Sequence, residues 1–212
     1  MNQPVLEVNQ LDAWWGAAQA LFAVSLDVKA GELVVLQGLN GAGKSTLLQA
    51  VAGIGPHAKG DIRYNSESIS TWPAHRRAQA GLGYVAEDRR LFAGLSVREN
   101  LHIAARGDTH ANLDKVLALF PALKSLLARR ASQMSGGEQQ MLAIARTLMT
   151  QPKLLLLDEP CEGIAPVLVE SIAESLLALK NQGMPMLVAE QNDILAGHAD
   201  RVITLAAGQV AT

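Results

Sequence analysis

Apolar residues in this chain follow two rhythms. Over Pro4–Val8 and Val24–Val28 they fall at every second position, the period of a half-buried strand. Leu33–Gln37 and Leu154–Leu157 are short apolar runs that read as buried strands, and Ile62–Tyr64, Leu82–Ala86 and Met186–Ala189 read as further strands. Val202–Leu205 and Gln209–Val210 form a predicted hairpin turning at Gly208. Between these stretches the period lengthens to that of a helix. One helix is predicted from Lys44 to about Ala52, stopped by Gly53 and Gly55. Ser96 stands where it would cap a helix beginning Val97-Arg98-Glu99, and Asn112–Phe120 places Leu113, Val116, Leu117 and Phe120 on one face. Pro121 interrupts, and Leu123–Arg130 reads as another short helix. Glu138–Met149 has the spacing of an amphipathic helix, and Pro166–Lys180 is a helix with proline near its start and Gly183 just past its end.

Strands alternating with helices in this way predict an α/β fold with a largely parallel sheet and helices on both faces. The helical texture after Glu87 reads as a lobe inserted at about residues 88–135 of a single domain covering 1–212. Composition narrows the partners. With 49% hydrophobic and 18% charged residues the chain should be compact, and a net charge of −2 gives no general attraction to nucleic acid or an anionic bilayer. No nucleic-acid partner is therefore expected. No apolar run approaches the roughly 18 residues that cross a membrane. Met1–Glu7 has neither the basic start nor the apolar stretch of an export signal, so a cytoplasmic protein is expected. Cys161 is the only cysteine, which excludes an internal disulfide or a thiolate-rich metal site.

Candidate chemistry gathers at three places. Gly38-Leu39-Asn40-Gly41-Ala42-Gly43-Lys44-Ser45-Thr46 follows a predicted strand and opens a predicted helix, the context that a phosphate-binding loop requires. Glycine lets backbone N–H groups curl around phosphate oxygens, and the helix N-terminus adds a favourable dipole. Lys44 is expected to reach the β- and γ-phosphates and Ser45 to ligate Mg²⁺. Alone, a glycine-rich turn beside a lysine could be accident; the strand–loop–helix context argues otherwise. Asp158 and Glu159 end a buried strand, where ligands bind in open parallel sheets. Because neighbours on a strand point to opposite sides, Asp158 is expected to hold Mg²⁺ and Glu159 to face the γ-phosphate and orient the attacking water. Ser135-Gly136-Gly137-Glu138 begins the amphipathic helix, either as a plain cap or as an anion site.

Met134-Ser-Gly-Gly-Glu-Gln-Gln140 followed by Leu154-Leu-Leu-Leu-Asp-Glu-Pro160 resembles the signature of ATP-binding cassette (ABC) proteins, and the order of motifs matches over nearly the whole chain. The resemblance implies a P-loop NTPase: a RecA-like core with a mainly parallel sheet, an N-terminal antiparallel β subdomain and an inserted α-helical subdomain. It implies ATP and Mg²⁺ as ligands, and a second ABC subunit whose Ser135–Glu138 counterpart contacts the γ-phosphate. It places Trp15 where an aromatic ring stacks on adenine, Glu87 in the loop joining core and lobe, and Gln191 in the switch loop. Glu87 with Arg89-Arg90, Gly163-Ile-Ala-Pro166 and Glu190-Gln191-Asn192 resemble one branch, the second ATPase subunit of branched-chain amino-acid importers. Such a subunit works beneath membrane permeases, on the cytoplasmic face, and indirectly with a solute-binding protein. The related urea and short-chain amide importers share much of this, and Glu162-Gly163-Ile164 leans their way.

Departures from the general family pattern bear on chemistry. Glu87 stands where glutamine is usual, Gln191 where histidine is, and Ala165 where aspartate is. Gln191 can donate a hydrogen bond but cannot carry a proton. Slow hydrolysis alone, faster beside a sibling bearing histidine, is therefore expected, and a nucleotide-responsive subunit with little hydrolysis of its own is the alternative. By the same resemblance Arg89, Arg90, Ala93, Leu95 and Val97 would border the groove that receives a permease helix. The ending at Thr212 is early for the branch, which suggests a missing regulatory or dimer-stabilising tail.

Overall fold

The computed structural model describes residues 3–191 and 193–211; Asn192 and Thr212, named in the readings above, lie outside them. Strands β1 (Pro4–Trp15) and β2 (Ala18–Lys29) pair antiparallel. Both run well past their period-two stretches, because Gln10 and Ala23 adopt positive φ (49° each) and the register slips between Val8 and Leu11 and again before Ala13. A bulge resets the in–out phase, so alternation stops there although the strand continues. Strand β3 (Leu33–Gln37) leaves for a second sheet and runs through the Gly38–Gly43 loop into α1 (Lys44–Ala52). The chain returns to the first sheet with β4 (His57–Tyr64) and the two-residue β5 (Glu67–Ser68), giving the order β2-β1-β4-β5.

Helix α2 (Ala74–Ala80) escaped the sequence reading because it carries no apolar stripe. It is anchored instead by Arg77, whose buried guanidinium donates to the carbonyls of Ala50, Val51, Ser70 and Trp72, two of them at the C-terminal end of α1. Strand β6 (Leu82–Val85) precedes a helical stretch of α3 (Val97–Ala104) and α4 (Thr109–Leu119). Ser96 caps α3, with Glu99 closing a capping box. The expected helix over Leu123–Arg130 is instead a 3-10 segment, Pro121–Leu126. Proline at its start and buried Leu123 and Leu126 three residues apart favour the tighter coil, in which i and i+3 eclipse. Backbone bonds from Val97 to Arg129, Ala131 to Leu95 and Ser132 to Ala93 zip the two ends of this stretch together.

Helix α5 (Gly136–Leu148), β7 (Leu154–Asp158), α6 (Pro166–Asn181), β8 (Met186–Ala189), the single turn α7 (Asp193–Ala196), β9 (Arg201–Ala206) and β10 (Gln209–Val210) complete the chain. The second sheet has the order β10-β9-β3-β8-β7-β6, parallel throughout except at β10. Its central strands feed two cores. Leu33, Val35, Leu155, Leu157, Met186 and Val188 face α5, α6 and the helical stretch. Val34, Leu36, Leu154, Leu156, Leu187 and Ala189 face α1 and the antiparallel sheet. Burial on both faces is why these strands read as unbroken apolar runs. Each fully buried leucine contributes about 2 kcal/mol, so Leu154–Leu157 seat Asp158 firmly. Strand β8 lies between β3 and β7, so the axes of those two strands stand about 10 Å apart. The residues that follow β8 are delivered into that gap.

Candidate nucleotide site

Packing, as well as any ligand, requires glycine at two positions of the loop, Gly38 and Gly43. At Gly43, with φ +104°, a Cβ would meet Leu21 Cδ2 at 2.7 Å. Lys44 folds back beneath the loop, its Nζ donating to Gly38 O at 2.8 Å and paired with Glu159 Oε1 at 3.0 Å. Both side chains are more than nine-tenths buried. Ser45 Oγ donates to Asp158 Oδ1 at 2.8 Å. These four residues, far apart in sequence, thus interlock in two pairs. Three of them, Lys44, Ser45 and Glu159, wall a cavity of about 310 Å³ together with Asn40, Gly41, Gly43, Thr46 and Glu87, and Asp158 adjoins it through Ser45.

Glu159 departs from the strand logic that was expected to separate it from Asp158. Strand β7 ends at Asp158, and Glu159 adopts φ +46°. That left-handed kink aims it at Lys44, so the two acids diverge by backbone conformation and not by pleat alternation. Burial raises the Glu159 carboxyl, but hydrogen bonds to Glu162, Lys44 and Gln191 outweigh it and leave the group below its ordinary value. Glu162, hydrogen-bonded to Glu159, is correspondingly pushed up to about 7. Burial raises Asp158, with the Glu87 and Glu159 charges adding to it and hydrogen bonds from Ser45 and Tyr84 opposing. An all-oxygen donor set of Ser45, Asp158 and Glu87, in a field that disfavours further negative charge, fits a hard divalent cation. Among the described residues no cluster of three or more His, Cys, Asp or Glu side chains could hold an ion by itself.

Gln191 reaches the same place from the end of β8. Its amide nitrogen donates to Asn40 Oδ1 and lies 3.4 Å from both Glu159 oxygens. Glu190, unmarked as a functional residue in the sequence, is buried and accepts the backbone N–H groups of Cys161 and Gln191, at 3.0 and 2.9 Å. It ties the segment after β7 to the segment after β8. Trp15, at the end of β1, is 47% exposed, and its indole N–H donates to Thr46 Oγ1 at 3.2 Å. Its ring edge packs over Gly55, where a Cβ would come within 2.6 Å.

Ser135, Gly136, Gly137 and Glu138 line no part of the phosphate cavity. Ser135 caps α5 in a capping box with Glu138, the cap being one of the two alternatives read from sequence. Gly137 has a packing role as well: a Cβ would come within 3.1 Å of Leu168 Cβ on α6, and closer still to its Cδ1. Arg89 was placed at an outer groove by resemblance. In the structure it turns inward and donates to Gln140 at 3.1 Å and Gln139 at 3.3 Å. Arg89 and Arg90 both hold positive φ (60° and 48°), and Arg146 stabilises them by donating to their carbonyls. Arg90 remains outside, paired with Asp88, whereas Val97 is wholly buried and cannot line a groove.

The ABC transporter family model matches residues 21–162, more than half of the chain. The high-affinity branched-chain amino acid transport ATP-binding protein BraG of Pseudomonas aeruginosa is 44% identical over 97% of this chain and 91% of its own. A probable branched-chain amino acid transport ATP-binding protein, LivF of Archaeoglobus fulgidus, is 34% identical over 98% of this chain and 90% of its own. Among solved structures, an ATP-binding cassette of an ABC transporter in its ADP conformation superimposes with a TM-score of 0.86 at 26% identity, covering 99% of this chain and 90% of the other.

Proposed function

The chain belongs to the ABC transporter family as an ATP-hydrolysing cassette, and from that premise we propose that it drives an importer of branched-chain amino acids. Full-length similarity to BraG, at 44% identity, carries the cargo reading. It would work as a peripheral subunit on the cytoplasmic face of the cell membrane, beneath permeases that receive solute from a binding protein. No helix among the described residues is long and apolar enough to cross the membrane itself. We read residues 1–212 as one nucleotide-binding domain in which 88–135 is a lobe; the zipped ends at Ala93–Val97 and Arg129–Ser132 support that division.

In this reading Trp15 stacks on adenine, and the backbone of residues 38–43, with Lys44 and Thr46, holds the phosphates. Ser45, Asp158 and Glu87 would hold Mg²⁺, which supplies charge neutralisation for phosphoryl transfer. Lys44 exchanges its Glu159 partner for phosphate oxygens. The freed Glu159 carboxylate orients the attacking water and receives its proton, and Gln191 donates to the charge developing on the γ-phosphate. The donors still missing are those of Ser135–Glu138, which the fold holds away from its own cavity. A second ABC subunit supplies them in trans, so that ATP closes the pair and hydrolysis reopens it. Deleting the chain in its host should abolish uptake of labelled leucine and spare uptake of labelled urea. Wild type should restore uptake and Lys44→Ala should not; unchanged leucine uptake would remove the cargo assignment, and lost urea uptake would move it to short-chain amides.

A further inference from the structure

Outside the residues assigned above, one side chain grips Asp158 from a direction that no sequence motif marked. Tyr84, half-buried on the edge strand β6, donates its phenol hydrogen to Asp158 Oδ2 at 3.0 Å. Ser45 donates to the other oxygen, Oδ1, at 2.8 Å. Asp158 is 1% exposed, so these two hydroxyls determine the plane of its carboxylate. Gln49, one turn along α1 from Ser45, stands beside the tyrosine oxygen. Asp158 is thereby held from two elements at once, by Ser45 of α1 and by Tyr84 of β6.

We propose that Tyr84 is a positioning residue for the divalent cation, setting the plane of Asp158 against the Ser45 hydroxyl that lines the phosphate cavity. The proposal rests on the reading of Ser45 and Asp158 as cation ligands. Tyr84 forms no part of the phosphate cavity's wall. Its ring lines two cavities of about 260 and 180 Å³ on the far side, beside α2 and α5. Its influence on the cation therefore passes through Asp158. Groups that orient a metal ligand in this way usually change metal affinity by about 10- to 100-fold when removed.

Tyr84→Phe deletes the hydroxyl and keeps the ring. Mn²⁺ is titrated into protein saturated with a non-hydrolysable ATP analogue and followed by electron paramagnetic resonance. Mn²⁺ affinity should fall about tenfold, while analogue affinity in chelator and the melting temperature match wild type. The Mg²⁺ concentration giving half-maximal ATP turnover should rise by the same factor. Equal Mn²⁺ affinity in the two proteins would overturn the proposal and leave the ATPase intact. Nucleotide binding in wild type that ignored metal altogether would instead overturn the ligand reading beneath it. Should Tyr84→Phe melt earlier, Leu123→Ala in the helical stretch serves as an equally loosened control. Its Mn²⁺ affinity should be that of wild type, and a matching loss there would overturn the proposal.

Discussion

Lys44, Ser45, Asp158 and Glu159 carry the site as two interlocked pairs, and each pair links the helix after β3 to the end of β7. Around them single side chains tune charge. Glu162 binds the Glu159 carboxylate and is pushed up to about 7 by that hydrogen bond, with burial adding to it. A carboxyl whose folded value is raised stabilises the fold fully below its ordinary value of about 4.3, and that stability is lost as pH rises through the folded value. In nucleotide-free protein, Glu162→Gln and wild type should melt together near pH 4, and the variant should melt increasingly later between pH 5 and 8. Parallel melting curves across that range would refute the shared proton. Gly137 is a second residue-scale case. Gly137→Ala gains helix propensity of about 1 kcal/mol but overpacks against Leu168 at a cost of about 1–3 kcal/mol. The expected outcome is a net loss in chemical denaturation; a more stable variant would show that α5 and α6 can separate freely.

At the scale of elements, helix ends decide much of the architecture. Helices α3 and α5 begin with complete capping boxes, at Ser96/Glu99 and Ser135/Glu138. Helix α6 begins at Ala165 with no side-chain cap, although Pro166 at its first position suits the helix. Ala165→Asp supplies a side-chain acceptor and a negative charge at this helix start and should stabilise the fold by about 1 kcal/mol. Urea unfolding measures this directly, and no gain would mean that the first turn of α6 already has its donors satisfied. Arg89 joins two other elements: its guanidinium crosses from the turn after Glu87 to Gln139 and Gln140 on α5. That turn, with two consecutive residues at positive φ, is held by Arg146 from the same helix. The wall of the phosphate cavity and the Ser135–Glu138 segment are therefore mechanically continuous within one subunit.

In the proposed reading the whole molecule carries two half-sites, and the second lines no part of the first. Its cavity holds the phosphate loop and carboxylates, while Ser135–Glu138 lies elsewhere. Glu159→Gln should cut ATP turnover by at least about 100-fold yet retain nucleotide binding. With saturating ATP it should sediment as a dimer, with itself or with a sibling cassette. A monomer under both conditions would remove the shared-site reading. Gln191 makes a related expectation for the assembled enzyme. Since its amide cannot carry a proton, pairing with a sibling that bears histidine should raise turnover above that of this chain alone. Equal rates per site would count against that division of labour.

Residue spacing alone was enough for the parts of this protein whose causes are local. Leu33–Gln37, Lys44–Ala52 and Met186–Ala189 appear where apolar runs and glycine stops placed them. That the loop before α1 and the Asp158–Glu159 pair belong together was legible because the chemistry proposed for them demands fixed residue types at fixed intervals, and the structure brings them into contact. Long-range contact decided the rest. The full lengths of β1 and β2 were hidden by bulges, and α2 by its reliance on one buried arginine. The aim of Glu159 depends on a backbone kink, and the grip on Asp158 on Tyr84, which lies on a different strand from the acid it orients. Periodicity reports which face of an element is buried; what that face touches is set only when distant segments pack.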